Sequence, residues 1–306
     1  MKKFTKICLI ACLALACIGG ICMCAGIALG SGPREVMEMI DRQGIHVGNF
    51  HVGFWEAFFG ENEEERIKAA DGMLVKQFDG DEIDSLDIDI KYGEVYIDVK
   101  ETDQIEVRID APKRNSYVCK KDGRTMELSD TTERKWWKAG GGNVTVTVSL
   151  PEKKVFSEVE LMTNAGKVDI SHSLKAKEIS LELDAGDLTA ADIEAEKELS
   201  VNVGAGRLAI SKFSARNMEI DCGMGEVELR GSLLGDGDIS CGMGRIDLEL
   251  EAEETDYDYE MECGLGSIEL NEQRFTSLGS EKEINHGAGN ELHLDCGMGE
   301  IVITTN

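Results

Sequence analysis

The sequence predicts an all-β chain, a repeat β-solenoid of about 20 residues per unit with Gly-x-Gly bends, carried behind an N-terminal transmembrane helix, on three observations. The first is a recurring bend. It reads Thr-Asn-Ala-Gly166, Leu-Asp-Ala-Gly186, Val-Gly-Ala-Gly206, Cys-Gly-Met-Gly225, Cys-Gly-Met-Gly244, Cys-Gly-Leu-Gly266 and Cys-Gly-Met-Gly299, with the last glycines 20, 20, 19, 19, 22 and 33 residues apart. The second is alternation on both sides of the bend. The third is composition: 34 glycines beside 3 prolines suit many short strands joined by tight bends.

Aligned on the last glycine, apolar columns emerge before and after it. Leu161, Leu181, Val201, Ile220, Ile239, Met261 and Leu294 form one. Val168, Leu188, Leu208, Val227, Ile246, Ile268 and Ile301 form the next, and Ile170, Ala190, Ile210, Leu229, Leu248, Leu270 and Ile303 follow two positions on. This is the period of a half-buried strand. A unit of about 20 residues is too short to bury its own apolar face, so it stacks on its neighbours. Stacked coils or a meander of antiparallel hairpins both satisfy the pattern.

The solenoid is expected to span 81–306, starting with a more distant copy, Ile90-Lys-Tyr-Gly93-Glu-Val-Tyr-Ile97. Strand-like segments at Ile105 to Ile109 and Val144 to Leu150 follow, with Gly140, Gly141 and Gly142 marking a loop. The long last interval places an excursion near Arg274 to Glu291. Ile301 to Ile303 close to the terminus then forms a final coil whose edge needs protection.

Lys2, Lys3 and Lys6 precede an uncharged, largely apolar run from Ile7 to Gly30, long enough to span a bilayer. The positive-inside rule puts the N-terminus in the cytoplasm and the rest of the chain outside. Residues 1–30 are thus a cytoplasmic stub and membrane anchor, with a cleaved signal segment ending near Ala28-Leu29-Gly30, and hence secretion, as the alternative. A lipoprotein box at Leu9-Ile10-Ala11-Cys12 follows too few apolar residues. Residues 31–80 form a juxtamembrane, partly helical stretch, with Phe54, Trp55, Phe58 and Phe59 at the membrane interface or docked on the folded domain.

Charge removes one class of function. With 59 acidic and 32 basic residues, the net charge of -27 repels nucleic acid and anionic lipid. Five of the ten cysteines (Cys8, Cys12, Cys17, Cys22, Cys24) lie in the anchor, where a thiol acts as a small hydrophobe. The others are Cys119, Cys222, Cys241, Cys263 and Cys296.

Stacking brings Cys222, Cys241, Cys263 and Cys296 to one repeat position, close enough to suggest a disulfide or a metal. The same column holds Val203, Leu183 and Thr163, which marks it as interior packing. Glu182, Asp221, Glu262 and Asp295 share one outward column and Asp169, Glu228, Asp247 and Glu269 another, expected to be solvated faces. No catalytic, cofactor-binding or metal constellation stands out. His46 and His51 are juxtamembrane, His172 stands alone, and His286 and His293 flank the excursion. The bends lack a following Lys-Ser/Thr and a helix, so they are poor phosphate sites. Lys135-Trp136-Trp137-Lys138 offers aromatics to a glycan or to the core.

Over residues 81–306 the chain resembles the bacterial "putative adhesin" family, an envelope domain of unknown function. The likeness rests on Ile90 to Ile97, on Val144-Thr-Val-Thr-Val-Ser-Leu-Pro151 and on the glycine bends. It implies a β-solenoid-like stack, an envelope role and no catalytic residues to carry over. The expected function is a non-enzymatic interaction or scaffold module facing an envelope protein or wall polymer. Because the family's relatives are also similar to domains of cell-wall stress regulators, the alternative is an accessory regulator of an envelope-stress sensor. A polysaccharide-active β-helix enzyme is a third reading.

Overall fold

A computed structural model describes residues 66–68, 73–112, 116–132, 144–276 and 280–306. The predicted span (7–30), the aromatic group Phe54 to Phe59, His46, His51, the Lys135 to Lys138 segment and Gly140 to Gly142 lie outside the described residues. Among the described residues no helix is long and apolar enough to cross a membrane. Apart from two single-turn 3-10 helices, Gly80–Glu82 and Glu254–Asp256, the regular structure described is β.

Alternation becomes burial along every coil. Leu181, Leu183, Leu188, Val203, Leu208, Val227, Ile246, Leu294, Ile301 and Ile303 are all fully buried, while the residues between them face out. Coils pair parallel and in register at an offset of one repeat: Val201 with Ile220, Ile220 with Ile239, Val227 with Ile246. The stacked arrangement therefore holds, and the antiparallel meander does not. A one-residue slip would turn each apolar set out to solvent, which fixes the register.

The backbone ladder runs through the bends as well as the strands. Gly242 N–H donates to the Cys222 carbonyl at 2.8 Å, Met243 N–H to Gly223 at 2.7 Å, and Arg245 N–H to Gly225 at 2.9 Å. Glycine is required here by close approach. A Cβ on Gly244 would lie 2.3 Å from the Gly225 carbonyl oxygen and 2.8 Å from Cys222 Sγ, and the same conflict recurs from Gly166 to Gly299.

Coil order in space departs from coil order in sequence at both ends. The last strand pair, Glu291–Cys296 and Glu300–Thr305, does not follow the coil before it. Instead it is inserted between Gly237–Cys241 with Arg245–Leu250 on one side and Asp258–Cys263 with Ser267–Leu270 on the other. The excursion lays Gln273–Phe275 antiparallel along the outer edge of Ser267–Leu270 and Ser280–Ile284 antiparallel along that of Asp258–Cys263. The predicted unprotected final edge is thus buried inside the stack, and the exposed edge belongs to antiparallel strands.

At the other end, Thr125–Asp130 and Thr145–Pro151 pair parallel with Ser85–Lys100. Antiparallel strands Ser116–Asp122 and Gln104–Asp110 cover that coil in turn, and Met73–Asp79 covers Gln104–Asp110. Among the described residues no parallel coil is left as a bare end, which removes templates for edge-to-edge aggregation.

Gly244→Ala should cost roughly 2–4 kcal/mol, because backbone rather than a side-chain tip must give way. Gly287→Ala, at φ +72 with nothing within 4 Å, should cost about 1 kcal/mol from its left-handed backbone alone. Paired urea denaturation curves check the contrast.

Candidate functional site

The Cys-Gly-x-Gly bends direct successive side chains to opposite sides of one corner. The cysteines turn inward: Cys222, Cys241 and Cys296 are 2 %, 2 % and 0 % exposed, and Cys263 is 7 % exposed. None is in a disulfide. Because the last coil is inserted, the order in space is Cys222, Cys241, Cys296, Cys263, each in register with the next.

Three of the four thiols occupy the space that the absence of a Cβ leaves at the next coil's glycine. Cys222 Sγ serves Gly244, Cys241 Sγ serves Gly299 and Cys296 Sγ serves Gly266, as Val203 serves Gly225 and Leu183 serves Gly206. Interior packing is therefore a real role of this column.

The thiols also influence one another in series. Each thiol shifts its neighbour's: Cys263 acts to lower Cys296, Cys296 to lower Cys241 and Cys241 to lower Cys222. Cys222 Sγ in turn lies 4.0 Å from the Arg245 carbonyl. Cys241 is the main cause that lowers the Cys222 thiol to about 7, while Cys222 raises Cys241 and Cys241 raises Cys296. Among the described residues no group of three or more His, Cys, Asp or Glu side chains could hold a metal ion. A straight column cannot converge three sulfurs on one point.

The residue between the two glycines turns outward. Met224, Met243, Met298 and Leu265 are 63 %, 54 %, 57 % and 66 % exposed. Insertion of the last coil makes them consecutive, in the order Met224, Met243, Met298, Leu265. They form an apolar ridge about 14 Å long, counting three coil spacings of ~4.8 Å. The sequence reading missed this ridge. Its signal was available: a long apolar side chain at the tip of a surface bend, where a small or polar residue is usual.

One flank of the ridge is uncompensated acid. Asp221, Asp295 and Glu262 are exposed, and no ion pair is formed by them or by Glu182 in the same column among the described residues. The other predicted acidic column is largely neutralised: Asp169 pairs with Lys167 at 3.7 Å, Glu228 with Arg207 at 2.9 Å and Asp247 with Arg245 at 2.6 Å. Arg245 and Arg274 further tie Glu300 into this network.

The described histidines do not form a site. His172 is exposed beside Ser171, His286 stacks edge-on against Tyr259, and His293 faces Glu260 at 3.4 Å.

At the N-terminal end Asp87 is in register with Glu127 on one side and Glu160 on the other. Its carboxyl is raised above the ordinary range, first by burial and then by Glu127, Asp89 and Glu158. A raised folded value means that stability is fullest below the unfolded value and is lost as pH rises through the folded one. Asp87→Asn should therefore gain at most about 1 kcal/mol at pH 7, an advantage that shrinks towards pH 4. Urea denaturation of both proteins at the two pH values measures it.

Residues 83–291 match the family described as Toastrack DUF4097. No curated protein matches the chain. Among solved structures, a putative cell adhesion protein from Clostridium sporogenes is 13% identical over 76% of this chain and 99% of its own, with a TM-score of 0.31. A putative adhesin from Bacteroides fragilis is 13% identical over 78% and 100%, at 0.37. A putative lipid binding protein from Parabacteroides distasonis is 12% identical over 78% and 99%, at 0.38. With TM-scores below 0.5, the properties of those proteins stay with them.

Proposed function

The chain belongs to the Toastrack DUF4097 family, and from that premise we propose that it is a non-enzymatic interaction module of the cell envelope, held outside the membrane by residues 7–30. The observation that carries this reading is the ridge of Met224, Met243, Met298 and Leu265. Four long apolar side chains more than half exposed, consecutive on a hydrogen-bonded backbone, are a solvation cost that a bound partner relieves. Methionine adapts its shape to irregular apolar surfaces, which suits it to this position.

The backbone beneath the ridge is fixed by coil-to-coil hydrogen bonds, so ordering on binding is confined to the side chains. The acids along one flank select a partner with basic groups beside its apolar contact and repel a second copy of this acidic chain. The partner is an envelope protein or wall polymer of that chemistry. Display outside the membrane is supported by Lys2, Lys3 and Lys6 ahead of the apolar run.

Crosslinking in intact cells tests the reading with the full chain and a variant carrying Met224→Gln, Met243→Gln, Leu265→Gln and Met298→Gln. These side chains are exposed, so the fold and its melting should be unchanged. Retention of the partner should fall at least about tenfold, or ~1.4 kcal/mol. Equal recovery by both chains would overturn it.

A further inference from the structure

We propose that the Cys222–Cys241–Cys296–Cys263 column is a site of reversible oxidation, at which neighbouring coils become joined by two disulfides, Cys222 to Cys241 and Cys296 to Cys263. This goes beyond the contact role of the ridge and does not depend on it.

Geometry carries the proposal. In-register parallel neighbours lie about 4.8 Å apart at Cα, within the ~4.4–6.8 Å that a disulfide spans. The cysteines are already paired in register along the column, Cys222 with Cys241, Cys241 with Cys296 and Cys296 with Cys263. Closing a bond brings two Cβ atoms from the ~4.8 Å coil spacing to about 3.8 Å and turns two thiols towards each other, with no coil changing its neighbours. Four consecutive sulfurs form two bonds with none left over, whereas a central Cys241–Cys296 bond would strand the outer two.

Access is through the bends. Gly223, Gly242, Gly264 and Gly297, each following a column cysteine, are exposed, while the thiols themselves are 0 % to 7 % exposed, so the reagent reaches them by local opening of a bend. The thiolate fraction of Cys222, at about 7, gives attack a starting point near neutral pH.

The oxidant is a disulfide compound. Cys222 thiolate attacks one of its sulfurs, forming a mixed disulfide and releasing one thiolate. Cys241 loses its proton to solvent and attacks Cys222 Sγ, which releases the second thiolate. Two electrons have then passed from the cysteine pair to the reagent, and two protons to solvent. The Cys296–Cys263 pair follows the same course.

The spatial order makes the outcome distinctive. In an unfolded chain loop closure favours Cys241–Cys263, 22 residues apart, over Cys263–Cys296, 33 apart. In the fold Cys296 stands between Cys241 and Cys263 and forbids the shorter link.

The test uses the full chain in detergent, treated with oxidised glutathione under native conditions. Remaining thiols are then alkylated in denaturant and the peptides mapped without reduction. Linked Cys222–Cys241 and Cys263–Cys296 peptides are expected, each about 2 Da lighter than the separate thiol peptides together. In Cys263→Val, Cys296 should turn to Cys241 instead. Oxidation should slow proteolysis of the inserted strands Glu291–Thr305 about tenfold or more, reversed by reductant. A native Cys241–Cys263 link, or four column thiols all alkylated after oxidant, would overturn the proposal.

Discussion

The close approach of successive bends is the constraint from which the rest of the structure follows. Each final glycine lies against the carbonyl of the glycine one coil away, leaving no room for a Cβ. That contact sets the spacing at the corner and lets hydrogen bonds continue through it. It also draws the residue three positions before each such glycine inward, to fill the gap at the glycine of the next coil. Leucine, valine and cysteine all do this, so the column tolerates change in chemistry but not in direction.

A stack of this kind has two ends, and both are closed in the same manner. A coil is placed out of sequence order, and antiparallel strands lie outside the terminal coil. The C-terminal closure has a further effect. By inserting Glu291–Thr305 between two earlier coils, it makes the bends bearing Met243, Met298 and Leu265 consecutive, and the thiols behind them likewise. Stability and surface thus share one cause, since the strand pair that completes the core also completes the ridge.

Much of this was legible in the sequence. The columns running from Leu161 to Leu294 and from Val168 to Ile301 are interior as their alternation predicts, and Val203 and Leu183 correctly marked the cysteine position as a packing site. Coil order was not legible. Seven bends with the same chemistry can pair with any neighbour, so local pattern does not encode which follows which; the 33-residue interval was the one hint. The ridge was overlooked for a related reason. The glycines, whose role is to have no side chain, dominate the repeat pattern and mask the methionine between them. Nor could sequence distinguish the solvated acid column of Asp221, Glu262 and Asp295 from the paired one of Glu228 and Asp247, because pairing depends on Arg207 and Arg245 one coil away or two residues along.

The position of the last strand pair is what joins fold, ridge and thiol column, and methyl–methyl NOEs in the deuterated, methyl-labelled protein test it most directly. Insertion predicts that Leu294 shows NOEs to both Ile239 and Met261, with none between Ile239 and Met261, which lie two coils or ~9.6 Å apart. A direct Ile239–Met261 NOE, with Leu294 reaching only Met261, would mean that the coils stack in sequence order, and neither a continuous ridge nor the Cys241–Cys296 contact would exist.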